Sequence, residues 1–136
     1  MEVQLRFERE ILGPYALPGN ILSMNMYDDL PRPWTVSPPV TAFPESKYVK
    51  HDWDRDGVLS NGKDFFGGGQ KSTLAEIEGA MSTASMVTRW RAANPELVGT
   101  EKDVVKLFVK ELREAMGGQD WLERGSGTTI MLFKKT

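Results

Sequence analysis

Residues 73–95 read TLAEIEGAMSTASMVTRWRAANP, and this stretch decides the fold class. Thr73-Leu74-Ala75-Glu76 is a capping-box pattern: the Thr hydroxyl can take the Glu76 amide, and the Glu carboxylate can reach back to the Thr amide. Leu74, Ile77, Met81 and Ala84 follow at spacings of three and four, as on one face of a helix. The spacing predicts a helix from Thr73 to about Ala92 or Ala93, ending before Asn94-Pro95. Trp90 falls away from that stripe.

Toward the C-terminus, a second helix is expected from Thr100 or Glu101. Its stripe is Val105, Phe108, Val109, Leu112 and Met116, and Gly117-Gly118 ends it. Trp121–Arg124, Gly125-Ser126-Gly127 and Thr128–Phe133 then read as a terminal hairpin with a glycine-rich turn. Ile130 and Leu132 alternate with Met131 and Phe133. Both faces of the last strand are therefore apolar, as for a central strand covered on both sides.

Toward the N-terminus, Val3, Leu5 and Phe7 alternate with Glu2, Gln4, Arg6 and Glu8, the period of a half-buried strand. Leu22, Met24 and Met26 suggest a second strand after the Pro18-Gly19-Asn20 loop. Residues 31–44 hold five prolines and cannot be helical. Trp34, Val36, Val40 and Phe43 lie among them, so an ordered, extended loop laying apolar side chains on the core is expected, the alternative being a polyproline-II segment offered to a partner. From Glu45 to Gly69 the chain is polar and glycine-rich. The expected architecture is α+β in a single domain spanning 1–136. It has a small antiparallel sheet of about four strands, with the N- and C-terminal strands in one sheet. Two helices pack on one face, and the middle segment is long, irregular and Pro/Gly-rich.

Composition narrows the function. The chain has 136 residues, enough to bury roughly two-thirds of its unfolded surface without staples. It carries 17 basic and 19 acidic residues, a balance that speaks against nucleic acid. It has no cysteine, which excludes disulfides, thiolate zinc sites and cysteine nucleophiles and suits a reducing, cytoplasmic setting. No apolar run approaches a bilayer span, so no membrane is expected. Met1–Phe7 lacks the basic start and apolar stretch of a secretory signal.

The sharpest local pattern is His51-Asp52-Trp53-Asp54-Arg55-Asp56-Gly57-Val58-Leu59-Ser60-Asn61-Gly62-Lys63-Asp64. Asp52, Asp54, Asp56 and Gly57 resemble the opening of a calcium-hand loop, where alternating carboxylates converge on a hard cation. Ser60 stands where a side chain or its water contributes. The acid that should close the loop is replaced by Lys63, and Asp64 comes one residue late. The resemblance implies calcium held by Asp52, Asp54, Asp56, Ser60 and Asp64, as a free-standing loop without the flanking helices. The alternative reading is a solvated Asp/Gly/Asn turn. Asp54–Leu59 also resembles the first motif of the haloacid dehalogenase-like phosphatases, in which the first Asp attacks phosphorus. That family needs a buried apolar strand ahead of the motif, and Lys47–Trp53 is too polar. Gly67-Gly68-Gly69-Gln70-Lys71-Ser72 misses the P-loop spacing by one residue.

Without a catalytic set, no enzyme is expected, and a small module that docks on another protein leads. Toxin-neutralising immunity proteins and phage-encoded inhibitors set the class by size and composition. Residues 1–70 carry 7 basic and 10 acidic residues, against 10 and 9 in the remainder. Asp28, Asp29, Trp34, Tyr48, Trp53, Asp54 and Asp56 are the candidate docking residues, aromatic anchors in an acidic field suited to a basic partner such as a toxin or nuclease domain. A calcium-binding module is the second reading, and a small enzyme of unknown reaction the third.

Overall fold

The computed structural model describes residues 2–136, and the fold is α+β with four strands. The chain forms two compact units. The first joins Met1–Leu17 to Gly69–Arg124, and the second joins Pro18–Gly68 to Gly125–Thr136.

In the first unit, Glu2–Arg6 is a helix (α1) that continues as a π-turn over Phe7–Ile11. The expected N-terminal strand is therefore a helix; of the residues assigned to it, Met1 lies outside the described residues. The physical reason is local. Val3 and Phe7 are four apart as well as alternating, and Gln4 donates to Glu8 one turn on at 3.0 Å. The π-turn bond from the Leu12 amide to the Phe7 carbonyl, 2.9 Å, lets Phe7 and Leu12 both be buried, at 1% and 2% exposure. Phe7 stacks on Phe108 with ring centroids 4.3 Å apart, and Arg6 pairs with Glu111.

The capping box forms as expected: the Glu76 amide reaches Thr73 Oγ1, and the Thr73 amide reaches Glu76 Oε2 at 2.7 Å. The helix it opens is not continuous. Leu74–Ser82 (α3) and Ser85–Ala93 (α4) are separated at Thr83 and Ala84. Thr83 Oγ1 donates to the Ala80 carbonyl at 2.8 Å, and Ala84 turns extended. The break rephases the chain so that Met86 and Val87 join Leu74 and Ile77 in the core. The next helix, Val104–Ala115 (α5), begins later than expected because Asp103 is its cap, accepting the Val105 amide at 2.9 Å. Val104, Val105 and Phe108 are its buried face.

Asp103 is fully buried and grips Arg91 through both oxygens, at 2.9 and 3.0 Å, while accepting the Gly99 amide at 3.1 Å. Burial opposes its charge. The bonds from Arg91, Gly99 and Val105 outweigh that and hold its pKa below the usual carboxylate range.

The strands do not form one sheet. Gln70–Thr73 (β2) pairs antiparallel with Trp121–Arg124 (β3) in the first unit. Tyr48–Trp53 (β1) pairs antiparallel with Thr128–Phe133 (β4) in the second. The expected hairpin of the last two strands is thus corrected: each pairs with a partner from earlier in the chain. The expected central position of β4 is corrected too, because a two-stranded sheet has none.

In the second unit, Pro18–Met24 is a helix (α2) and not a strand. Proline opens it without losing an intrahelical bond, and Met26 and Tyr27, at φ 52° and 59°, end it. Of the apolar residues in the proline-rich segment, Trp34 and Phe43 are half-buried, whereas Val36 and Val40 are exposed. The Ser37-Pro38 bond is cis. Trp34 packs edge-on to Tyr48 at 5.1 Å and lies 6.2 Å from Phe133. Arg32, 9% exposed, lies over the Tyr48 ring and donates to the Tyr27 carbonyl at 3.0 Å. Met26 is the buried apolar residue of this unit, and its other buried side chains are the charged Arg32 and Asp54. Such a unit is organised as much by hydrogen-bonded charges as by apolar volume.

Candidate functional site

All the candidate residues lie in the second unit, on β1, the loop after it and the segment after α2. They do not share one role.

Asp54 is an internal clamp. Its backbone is left-handed, φ 55°, and its side chain is 1% exposed. One carboxylate oxygen accepts the Ser60 amide at 2.9 Å and the other the Phe66 amide at 2.7 Å. Its own amide donates to Ser60 Oγ at 2.7 Å. The amides of Ser60 and Phe66 lower its pKa, because they bond the charged form. Asp54, expected to be a partner contact, faces the inside of the loop in this structure.

Asp52 points elsewhere. It accepts from Thr129 Oγ1 at 2.5 Å, Lys50 at 2.9 Å and Arg55 at 2.6 Å. Burial opposes its ionisation, but these bonds prevail and hold its pKa at about 2. Asp28 takes Lys50 at 2.5 Å and Arg55 at 3.1 Å from the other side, so two acids and two bases form a closed set. Lys50 chiefly, and Arg55 with it, lower the pKa of Asp28.

Asp29, Asp56, Ser60 and Asp64 are exposed; Asp56 is left-handed at φ 52°. The Asp64 amide, with that of Lys63, donates to Asn61 Oδ1. Among the described residues no three His, Asp or Glu side chains gather as a metal cluster. Of the five residues expected to hold calcium, Asp52 turns to Lys50, Arg55 and Thr129, while Asp54 and Ser60 bond each other.

The aromatic anchors divide similarly. Trp34 and Tyr48 face each other within the unit. Trp53 is half-buried under Phe66, the rings stacked at 3.9 Å and 6°. The exposed tryptophan is Trp121, with Lys71 Nζ 3.6 Å from its ring centre. The charge balance is different within the unit. Lys134 and Lys135 belong to the second unit, which then holds seven basic and seven acidic residues.

Sequence reasoning missed the outer face of the β1–β4 sheet. Register places Val49 opposite Leu132, His51 opposite Ile130 and Trp53 opposite Thr128. These six share one face, since side chains alternate along a strand. Val49 is 42% exposed, Ile130 38% and Leu132 56%, with Phe66 at 51% beside Trp53. The signal was present in the doubly apolar Thr128–Phe133 stretch, but it fits a central strand equally well. The inner face, Tyr48 with Phe133 and Lys50 with Met131, is the one that Trp34 and Arg32 cover.

No helix among the described residues is long and apolar enough to cross a membrane. No protein-family model, curated protein or solved structure matches this chain.

Proposed function

We propose that the protein is a docking module that engages another protein through the outer face of the β1–β4 sheet. The observation that carries this reading is the row Val49, Ile130 and Leu132, apolar and exposed on one face, while Trp34 and Arg32 cover much of the other and leave Phe133 at its edge 37% exposed. Contiguous exposed apolar side chains mark interaction surfaces more often than scattered ones do. Trp53 and Phe66 extend the row with a stacked aromatic pair, the residue type that anchors interfaces. A toxin-neutralising immunity protein or phage-encoded inhibitor works by docking of this kind, and small size is what this chain shares with them. We take its setting to be the cytoplasm, which suits a chain without cysteine. The balanced charge of the second unit gives a basic partner no special support.

Affinity capture from the native host, run in parallel with Leu132→Glu, tests the reading. A partner retained by the wild type and lost by the variant, with both unfolding at the same temperature, is expected. A partner that binds both equally moves the docking surface off this sheet.

A further inference from the structure

Asn61-Gly62 lies in the exposed part of the aspartate loop, and it is the one asparagine followed by glycine; Asn20, Asn25 and Asn94 precede Ile, Met and Pro. An asparagine carboxamide can be attacked by the main-chain nitrogen of the next residue. The nucleophile is tethered, so the reaction is intramolecular, and a following glycine crowds it least. Around Gly62 no heavy atom lies within 4 Å of where a Cβ would stand, and its φ is +69°.

The two residues after the dipeptide add something that it alone lacks. Asn61 Oδ1 accepts two main-chain amides, from Lys63 and Asp64, each at 2.9 Å. These donors meet the oxygen on which negative charge grows when Cγ becomes tetrahedral. Amide donors already at that oxygen stabilise the charge growing on it, as donors of this kind do in acyl transfer. The Gly62 amide donates to the Leu59 carbonyl at 3.1 Å, so its proton must leave before or as the nitrogen attacks.

We infer that Asn61 is a site of spontaneous deamidation, promoted by the loop that holds it. The Gly62 nitrogen gives its proton to a solvent base and bonds to Asn61 Cγ. The charge passes to Oδ1 under the Lys63 and Asp64 amides. Collapse of this intermediate breaks the Cγ–Nδ2 bond, and Nδ2 leaves with a proton from solvent as ammonia. Water then opens the five-membered imide at either carbonyl, leaving aspartate or isoaspartate at position 61. The net change is one water consumed and one ammonia released. The isoaspartate product carries an extra main-chain methylene between Ser60 and Phe66, the two residues whose amides Asp54 grips.

The test follows the intact protein at mildly alkaline pH, below its unfolding temperature, by peptide mapping that separates aspartate from isoaspartate. The same chain unfolded in guanidinium is the reference. Conversion at Asn61 should exceed that at Asn20, Asn25 and Asn94 by more than about tenfold, a barrier difference well within reach of such donors. It should also be faster in the folded chain than in the unfolded one, because the fold holds in place a local turn that the unfolded chain samples only transiently. Asn61 surviving in the folded protein, or converting no faster there than in guanidinium, would overturn the inference.

Discussion

The main-chain amide of Phe66 donates to the carboxylate of Asp54, twelve residues earlier, at 2.7 Å. The stacked pair Trp53–Phe66 sits directly beside this bond. The loop is thus closed by one acid acting on main-chain donors, with an aromatic pair at its mouth. Asp54→Ala should release Phe66 from Trp53, and the Trp53 contribution to fluorescence should change in the folded protein. An unaltered spectrum together with an unaltered unfolding midpoint would show that the clamp holds nothing.

Two other acids set the acid limb of stability. Asp52 and Asp103 both have pKa values below those of an unfolded chain, and that of Asp52 is about 2. A group lowered on folding binds its proton more readily when unfolded, so its contribution is fully present above the ordinary carboxylate value. It is lost as pH falls through the folded value. Stability should therefore hold down to about pH 4 and drop between there and about pH 2. Asp52→Asn should flatten the lower part of that drop in urea titrations. A drop complete above pH 5 would assign it to other groups.

Removing Asp103 is expected to be costly in a different way. Asp103→Ala strips the partner from Arg91 and leaves the Gly99 and Val105 amides without their acceptor. Breaking a buried pair on one side typically costs about 3 kcal/mol. Urea midpoints of the wild type and the variant measure this, and a loss below about 1 kcal/mol would mean that water replaces the carboxylate freely.

Phe7 and Phe108 should behave as one unit. Phe108→Ala should cost about 3–5 kcal/mol, as for a buried aromatic. Phe7→Ala should cost a similar amount, and the double variant less than the two together, by about 0.5–1.5 kcal/mol for a stacked pair. Strict additivity would separate the π-turn from α5.

Calcium distinguishes the loop readings. Both oxygens of Asp54 already hold amides, and Asp52 holds Lys50, Arg55 and Thr129. Millimolar calcium should therefore leave the melting temperature unchanged. A ligand that binds only the folded state would raise it. A rise that Asp56→Asn abolishes would restore the ion site.

What could be read from residue order was local. The Thr73 capping box, the Val105–Phe108 stripe of α5 and the extended runs at Trp121–Arg124 and Thr128–Phe133 each depend on neighbours a few positions away, and each is present. What failed depended on distant partners. Alternation at Val3, Leu5 and Phe7 fits a strand or a helix, and the choice is made by Phe108, which lies far along the chain. The pairing of β3 and β4 away from each other has no local mark. At the aspartate loop, spacing alone cannot say where a carboxylate points. A calcium loop turns its acids toward a shared centre, whereas here the left-handed turns at Asp54 and Asp56 accompany an acid that caps its own loop.

The pairing of β1 with β4 has a consequence for synthesis. His51 and Thr129, bonded across that ladder, lie 78 residues apart in the chain. As the polypeptide leaves the ribosome, β1 emerges with its apolar residues and an unpaired edge, and the strand that completes it has yet to be made. The whole of Gly69–Arg124 must be translated first. Helix α1 waits likewise for α5, since Arg6 and Glu111 are 105 residues apart. Long-range closures of this kind raise contact order and slow folding. The nascent chain exposes its unpaired strand throughout that interval, so a hazard of aggregation is present during the seconds of translation as well.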